Sequence, residues 1–457
     1  MVLLLVAVLL FGCGSQVEPA PKLQARPSPR HVIVVSMDTV RADAVGAWGR
    51  ADRHTPNLDE IARSGVRFAS AMAPAPTTLA SHTSLLSGLY PHHHGVPRNE
   101  HRVPDALRML PEVFAEAGFK TGAFLGGMPL AEHTNFIQGF GNVDASFDRG
   151  REQGFEQVER RGAQVTAAAL AWAERNRDDR LFMFVHYFDA HQPYDPEPRF
   201  ARLTAARRPS ASMAQIYAVR EALNRGKAGA RMTSEALERL YQAQVAEVDT
   251  YVAQLERGLK DLGLDDYLLV LTSDHGEAFA VHEEIWDHGW RVYDETVHVP
   301  LVFAGAGLTA REVNTPVSLT DVAPTVLMWL GLPVGTVDGV DLGPLMRGEP
   351  MERGPVFSEA TKPRGSSESG WTNAMRWKAV RLGDEKLHWD PESGAHALYD
   401  LGEMPGERID LMRSQPLVPA GLRKALEEWA AQADPLPSER VSDAEVIEQL
   451  KALGYLQ

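Results

Sequence analysis

The sequence predicts an α/β fold with a mostly parallel β-sheet between layers of helices, followed by a small antiparallel sheet near the C-terminus. Continuous apolar runs, which are typical of parallel strands buried on both faces, recur along the chain at residues 31–36, 181–188, 267–272 and 299–303. Helical patterns separate these runs, and strands that alternate with helices predict a sandwich with the sheet in the middle. From about residue 370 the chain changes to short segments divided by Gly, Asp and Pro.

The N-terminal residues resemble an export signal. Residues 2–11, VLLLVAVLLF, form an apolar run of signal-peptide length that is too short to span a bilayer. Gly12 and Cys13 follow directly, in a pattern that resembles a bacterial lipoprotein signal. We therefore expect residues 1–12 to be removed, Cys13 to carry a lipid anchor, and the protein to reside in the cell envelope, in the periplasm or at the outer membrane. An ordinary cleaved signal or a buried segment is the alternative.

The rest of the chain divides into three predicted parts. Residues 13–30 contain the lipidated cysteine and a proline-rich tether, with four prolines among residues 16–30. Residues 31–350 form one large α/β domain. Residues 351–457 form a C-terminal subdomain with a helical tail at residues 419–433.

Amphipathic patterns indicate the helices and the smaller sheet. Two apolar faces at helical spacing are Leu107, Leu110, Val113 and Phe114, and Val248, Val252, Leu255, Leu259 and Leu262. Residues 201–245 are polar and helical, which suggests an excursion over the surface. The antiparallel strands are predicted within residues 374–382, 386–389 and 397–401.

Composition excludes two kinds of function. The net charge of −15 over 457 residues, with no basic stripe, excludes a nucleic-acid partner because the polyanion would be repelled. Cys13 is the only cysteine, so neither an intrachain disulfide nor a cysteine metal cluster can form. The oligomeric state is not predictable from the sequence.

Acidic and histidine side chains follow three of the predicted strands. Asp38 comes after the first strand, Asp189 and His191 after the second, and Asp274 and His275 after the third. Ligands of open α/β sheets bind beyond the carboxyl ends of the strands, so these residues are expected to converge. Carboxylate and imidazole groups suit a divalent cation, and a cation beside a hydroxyl lowers the pKa of that hydroxyl.

Several motifs carry a family resemblance. The segments VSMDTVRADAVGAWG, TPNLDEIARSGVRF, TTLASHTSLLSGLYPHHHGV, TSDHGEAFAVHEEIWDHGW, SLTDVAPTVLMWLGL and ALYDLGEMPGERIDL resemble successive blocks of the sulfatase family, in the order of that family, from residue 31 to about residue 411. The family belongs to the alkaline-phosphatase-like superfamily of metal-dependent ester hydrolases. The resemblance therefore implies an alkaline-phosphatase-like sandwich over residues 31–350 and a hydrolase that acts on a small-molecule or glycan ester.

The resemblance also implies one divalent metal ion, which could be calcium, magnesium, manganese or zinc. The ligands that it implies are Asp38, Thr39, Thr78, Asp274 and His275. For Asp38, capping of the following helix is the structural alternative.

The nucleophile block departs from the family pattern. Sulfatases have Cys or Ser, any residue, Pro, Ser, Arg, and the first residue is oxidised to formylglycine. The corresponding residues here are Thr78, Leu79, Ala80, Ser81 and His82. No formylglycine is therefore expected, and unmodified Thr78 is the predicted nucleophile, as threonine is in related phosphodiesterases and phosphotransferases. An inert Thr78 that caps the following helix is the alternative.

Four histidines and an arginine complete the predicted site. His191 and His288 resemble family positions that contact the transferred anion or the leaving oxygen, and His282 is a third catalytic candidate. His82 is predicted to bind substrate in place of the family arginine. Arg41 could neutralise substrate charge, and a salt bridge to Asp43 explains it equally well.

These features predict a metal-dependent hydrolase of anionic esters. The family resemblance favours sulfate esters, whereas the threonine favours phosphodiesters or phosphonates. The alternative is a catalytically degenerate lipoprotein that binds sulfated or phosphorylated glycans without turnover.

Overall fold

The computed structural model of the chain describes residues 28–49, 53–147, 159–227, 229–282, 287–360, 376–414 and 418–452. The predicted signal segment, Cys13 and most of the predicted tether lie outside these ranges. Within them, no helix combines the length and the apolar character that crossing a bilayer requires.

The central sheet has nine strands in the described part of the chain. They are β1 (His31–Met37), β2 (Val66–Met72), β3 (Lys120–Leu125), β4 (Asn142–Asp144), β5 (Leu181–Tyr187), β6 (Tyr267–Thr272), β7 (His298–Gly305), β8 (Arg311–Val313) and β9 (Val317–Ser318). Their order across the sheet is β4, β3, β5, β1, β6, β7, β2, β8. Strand β9 pairs with the C-terminal residues of β2.

Strand β1 lies at the centre of this sheet and pairs in parallel with β5 on one side and β6 on the other. Its Ser36 is opposite His186 of β5 and Thr272 of β6, so the three strands end at one level. The mostly parallel sheet is confirmed. One strand differs: β7, predicted from residues 299–303, is antiparallel to β6 and to β2.

Helices cover both faces of the sheet. In chain order they are α1 (Pro56–Ser64), α2 (Thr78–Ser87), α3 (Pro91–His94), α4 (Leu110–Glu116), α5 (Gly162–Arg175), α6 (Pro198–Leu203), α7 (Met213–Asn224), α8 (Ala230–Asp261), α9 (Asp294–Val297), α10 (Val322–Trp329), α11 (Gly343–Arg347), α12 (Ala420–Ala431) and α13 (Ala444–Ala452). Alternate side chains of β1 point into two hydrophobic cores, one on each face of the sheet. Val32 and Val34 belong to the core that contains residues of α2, α4 and α10. Ile33 and Val35 belong to the core that contains residues of α1, α5 and α8.

The smaller sheet is antiparallel, as predicted. Its strands are β10 (Val356–Glu359), β11 (Lys378–Leu382), β12 (Glu385–Trp389) and β13 (His396–Asp400), paired in that order. Helix α12, which corresponds to the predicted tail helix, buries Leu422, Leu426 and Trp429 against Val380 and Leu387 of this sheet. Strand β10 had no counterpart in the predicted pattern. The predicted surface excursion forms α6, α7 and the first turns of α8.

Candidate active site

Three potential metal ligands meet at the ends of two neighbouring strands. Asp38 directly follows β1, and Asp274 and His275 follow β6. One ligand atom from each lies within 4.8 Å of the others, and all three side chains are completely buried. Their convergence follows from the pairing of β1 with β6, which brings together residues far apart in sequence.

Asp38 is oriented by a histidine that the sequence reading did not single out. His186 lies in β5, beside β1, and its Nε2 lies 3.1 Å from Asp38 Oδ2. Burial lowers the pKa of His186, so the ring is neutral and donates this bond through Nε2–H. Asp38 Oδ1 has no hydrogen-bond partner among the described residues. A histidine inside an otherwise apolar strand was the available signal for this role.

Asp274 and His275, which follow β6, form hydrogen bonds to backbone groups. Asp274 Oδ1 accepts hydrogen bonds from the backbone N–H groups of Thr39, at 3.2 Å, and His275, at 2.8 Å. His275 Nδ1–H donates to the carbonyl of Gly276 at 2.9 Å, which makes Nε2 the ring atom able to bind a cation. That Nε2 lies 3.4 Å from Asp274 Oδ2.

Thr39 adopts a backbone conformation that is unfavourable for a β-branched residue. Its φ angle is +58°, in the left-handed region, which costs about 1–3 kcal/mol. The hydroxyl of Tyr241 donates to the Thr39 carbonyl at 2.9 Å, and the Thr39 N–H bonds to Asp274, so the surrounding structure maintains the strain. The Thr39 hydroxyl is buried and has no hydrogen-bond partner among the described residues.

Thr78 is the first residue of α2, and its side chain is fully buried. Its hydroxyl interacts with the Asp38 carboxyl, whose pKa burial raises and this interaction lowers, and it has no other hydrogen-bond partner in the described part of the chain. Neither Thr77 nor Thr78 caps the helix through its side chain; instead, Asn99 Oδ1 accepts from the backbone N–H of Leu79 at 2.8 Å. Asn99 was missed by sequence reasoning because it lies beyond the motif.

Ser81, the fourth residue of α2, connects this helix to the loop that follows β6. The hydroxyl of Ser81 donates to the Asp274 carbonyl at 2.6 Å, which joins the helix that begins with Thr78 to the loop that carries the predicted ligands. This bond holds the first turn of α2, which contains Thr78, next to Asp274.

The electrostatics of these carboxylates favour a bound cation. Burial raises the pKa of Asp38 well above its ordinary value, and the charges of Asp274 and Glu277 raise it further. Burial also raises the pKa of Asp274. Two buried carboxylates with raised pKa values, each with an oxygen that accepts no hydrogen bond, together with a correctly oriented imidazole fit a divalent metal ion.

Both ring nitrogens of His82 form hydrogen bonds within the protein, and its role in substrate binding stays a prediction. His82 Nδ1–H donates to the Thr78 carbonyl at 2.8 Å, and Nε2 bonds to the Ser36 hydroxyl at 2.8 Å. Burial lowers the pKa of His82, so the neutral ring has both nitrogen atoms occupied by the protein. Through its bond to the Thr78 carbonyl, His82 supports the backbone at the start of α2.

Arg41 and His282 both have partners within the protein. Arg41 is buried and forms two hydrogen bonds to Asp43, at 2.8 and 2.6 Å, which realises the salt-bridge alternative. His282 bonds to Glu295 Oε1 at 3.0 Å and to the Gly406 carbonyl at 3.0 Å, so it joins the large domain to the C-terminal subdomain. Both ring nitrogens of His282 therefore have protein partners, and its catalytic role stays a prediction.

The other two predicted histidines lie beside the ligand cluster. The ring centroid of His288 is 4.4 Å from that of His275 and 5.4 Å from that of His191. His191 donates through Nδ1–H to the Gln192 carbonyl at 2.6 Å, and its ring stacks on Phe188. Asp189, by contrast, accepts from the Gly162 N–H at the start of α5.

Comparison with known proteins agrees with this arrangement. The model of the family described as Sulfatase matches residues 30–332, which include every residue of the cluster. The ulvan-active sulfatase of Formosa agariphila is 23% identical over 75% of this chain and 70% of its own length.

Two solved structures share the fold. The protein BT4656, determined in complex with its substrate D-glucosamine-2-N,6-O-disulfate, superimposes with a TM-score of 0.72 at 20% identity, over 90% of this chain and 99% of that chain. The phosphonate monoester hydrolase of Agrobacterium radiobacter superimposes with a TM-score of 0.67 at 22% identity, over 88% and 94% of the two chains. The chain therefore belongs to the sulfatase family of hydrolases.

Proposed function

We propose that this protein is a metal-dependent hydrolase of anionic esters that uses the unmodified hydroxyl of Thr78 as its nucleophile. One observation carries the proposal: the buried Thr78 hydroxyl, at the first position of α2, interacts with the Asp38 carboxyl and has no other hydrogen-bond partner in the described structure. The ligand atoms of Asp38, Asp274 and His275 lie together in the same buried space.

The residues divide the chemistry as follows. A divalent ion held by Asp38, Asp274 and His275, next to the hydroxyls of Thr39 and Thr78, would supply positive charge that lowers the pKa of the nucleophile and offsets the charge of the substrate. Thr78 Oγ attacks the phosphorus or sulfur atom, and the bond from that atom to the ester oxygen breaks. Water then hydrolyses the ester formed on Thr78 and restores the hydroxyl.

The elements around Thr78 support the anionic transition state. The substrate approaches the N-terminal end of α2, where the helix dipole favours negative charge. His191 and His288 are placed to contact the oxygens of the transferring group, and His288 is nearest to the ligand cluster through His275. His186 and His82 keep Asp38 and the Thr78 backbone in position.

Phosphodiesters or phosphonates are the proposed substrates. Thr78 and Ala80 stand where sulfatases have the formylglycine precursor and its proline, so we expect no formylglycine. The fold shared with a phosphonate monoester hydrolase is consistent with this choice. Sulfate esters are the second candidate because the ulvan-active relative is described as a sulfatase.

A panel of four nitrophenyl compounds, the sulfate, phosphate, phosphodiester and phosphonate, tests this proposal with protein of known metal content. We expect the highest kcat/KM with the phosphodiester or phosphonate, loss of activity on chelation and recovery on addition of a divalent ion. The peptide containing Thr78 should have its unmodified mass. Turnover of the sulfate alone would contradict the substrate assignment, and tight binding of sulfated glycans without turnover of any compound would support the degenerate alternative.

We also propose that the protein is a lipoprotein of the cell envelope, based on the N-terminal sequence alone. Full-length protein should fractionate with membranes, and Cys13→Ser should release it or leave it unprocessed. Wild-type protein recovered wholly in the soluble fraction with residues 1–12 attached would contradict this proposal.

A further inference from the structure

A second group of potential ligands lies beside the first. Glu277, Asp287 and His288 are almost completely buried, and one ligand atom from each lies within 4.8 Å of the others. Nδ1 of His288 is 3.4 Å from both carboxylate oxygens of Glu277 and 3.2 Å from Asp287 Oδ1. Contact between the rings of His288 and His275 joins this group to the first cluster.

The spacing within this group resembles that of a coordination shell. Two atoms bound to one cation at metal–ligand distances near 2.0–2.2 Å are about 3.0–3.5 Å apart in tetrahedral or octahedral geometry. A charge-assisted hydrogen bond between an imidazole and a carboxylate would be shorter, about 2.7–2.9 Å. The first cluster shows the same long spacing, because His275 Nε2 lies 3.4 Å from Asp274 Oδ2.

The charge of the site also favours a second cation. The two groups together contain four buried carboxylates, those of Asp38, Asp274, Glu277 and Asp287, and the rings of His275 and His288 lie between them. Arg41 is already paired with Asp43, and Arg220 reaches Asp287 only at 3.7 Å.

Tyr194 provides an independent observation. Its side chain is completely buried, and its hydroxyl has no hydrogen-bond partner among the described residues. Its ring centroid is 6.1 Å from that of Phe279, two residues after Glu277, and burial, followed by the charge of Glu277, raises the pKa of its hydroxyl. Buried hydroxyls nearly always have partners, so this one favours a bound species in this part of the structure.

We propose that Glu277, Asp287 and His288 form a second divalent-cation site next to the site of Asp38, Asp274 and His275. The inference rests on the proposed function, because it assumes that the first site also binds a metal ion. It gives His288 the role of a ligand and places the positive charge of two ions around the transferring group. The competing arrangement is a protonated His288 held between the two carboxylates without an ion.

Titration of metal-free, full-length protein with Mn²⁺ tests the inference. We expect two Mn²⁺ per chain by elemental analysis and calorimetry, with an electron paramagnetic resonance spectrum that shows coupling between two neighbouring ions. Glu277→Gln and Asp274→Asn should each reduce the content to one Mn²⁺ and abolish the coupling. Glu247→Gln is the matched control, because Glu247 is a buried carboxylate paired with Tyr251 and Arg161, and it should retain two ions.

The outcomes separate the two proposals. One uncoupled Mn²⁺ per chain, lost in Asp274→Asn and kept in Glu277→Gln, would overturn the second site and leave the proposed function intact. No Mn²⁺ binding by the wild type would overturn both. Thermal unfolding checks that each variant is folded, and Asp287→Asn provides the same measurement where Glu277→Gln does not fold.

Discussion

Two regions of this molecule bury carboxylates equally deeply and treat them in opposite ways. At the end of the central sheet, Asp38 and Asp274 lie together with neutral histidines, and their pKa values are raised. Around the small C-terminal sheet, buried carboxylates lie against lysines. Glu359 Oε2 is 3.1 Å from Lys378 Nζ. At the C-terminal sheet a lysine of the protein neutralises the buried carboxylate. At the central sheet, by contrast, Asp38 and Asp274 have only histidine partners among the described ion pairs.

The C-terminal pairs show what internal neutralisation achieves. Burial alone would raise the pKa of Glu359, but Lys378, His92 and Arg376 lower it to about 2. Lys386 contacts Asp294 at 2.6 Å and Glu407 at 2.8 Å, and it lowers the pKa of both carboxyls despite their burial. Burial therefore does not determine the sign of a shift; the presence of a fixed cation does.

The largest expected effect is on catalysis at the unneutralised region. Thr78→Ala should reduce kcat/KM on the best substrate by at least about a thousandfold, because the nucleophile is removed. Folding and metal content should be nearly unchanged, and Thr78→Ser should keep measurable activity. The matched control is Thr77→Ala, which should stay within a fewfold of wild type. Full activity in Thr78→Ala would mean that a water molecule attacks the substrate instead.

The next effect concerns stability at the neutralised region. Lys378→Met should lower the free energy of unfolding by about 3 kcal/mol, because it leaves the buried Glu359 carboxylate without its lysine. Denaturation in urea, followed by circular dichroism, measures the loss. Lys378→Met combined with Glu359→Gln should lose less than Lys378→Met alone. An unchanged stability of the single variant would show that His92 and Arg376 suffice.

Acid should weaken the same pair. The pKa of Glu359 is lowered from 4.5 to about 2 on folding, so its contribution to stability is complete above pH 4.5 and is lost as pH falls toward 2. Between pH 5 and pH 3 this group should account for a loss of about 2 kcal/mol. Urea denaturation of wild type and Glu359→Gln across this range isolates the contribution. Parallel pH profiles would contradict the assignment.

The smallest expected effect is a gain in stability. Asp38→Asn should stabilise the metal-free protein by about 1 kcal/mol, because it removes a buried charge next to Asp274 while an amide oxygen can still accept from His186. The same variant should lose the thermal stabilisation that Mn²⁺ gives to wild type. A lower melting temperature for metal-free Asp38→Asn would show that the carboxylates of the site do not repel each other.

Sequence patterns were sufficient for the centre of the fold. The apolar runs of β1, β5 and β6 mark strands buried on both faces, and parallel pairing then explains why Asp38, Asp274 and His275 meet. The direction of β7 was not predictable, because an antiparallel strand buried at the centre has the same apolar composition. Strand β2 was missed because Arg67 and Ser70 interrupt its apolar run.

The roles of individual side chains depend on partners that sequence spacing does not reveal. His82 and His282 occur in family motifs, yet one bonds to Ser36 and the other to Gly406, which is 124 positions away. His186 and Asn99 support Asp38 and the start of α2 through contacts across the sheet and a loop. Residue type and motif identified the cluster, whereas hydrogen-bond geometry was needed to separate ligands from supports.

The central position of β1 has a consequence for the time course of synthesis. Both strands that flank it come much later in the chain, and Thr39 is 235 positions before its partner Asp274. At a ribosomal rate of 5–20 residues per second, about 12 to 50 s separate the appearance of these two residues. Until β5 is synthesised, the apolar first strand lacks both of its neighbours in the sheet and is open to chaperones or to aggregation. A truncated chain that ends before β6 cannot assemble the ligand cluster, so premature termination yields no partly active enzyme.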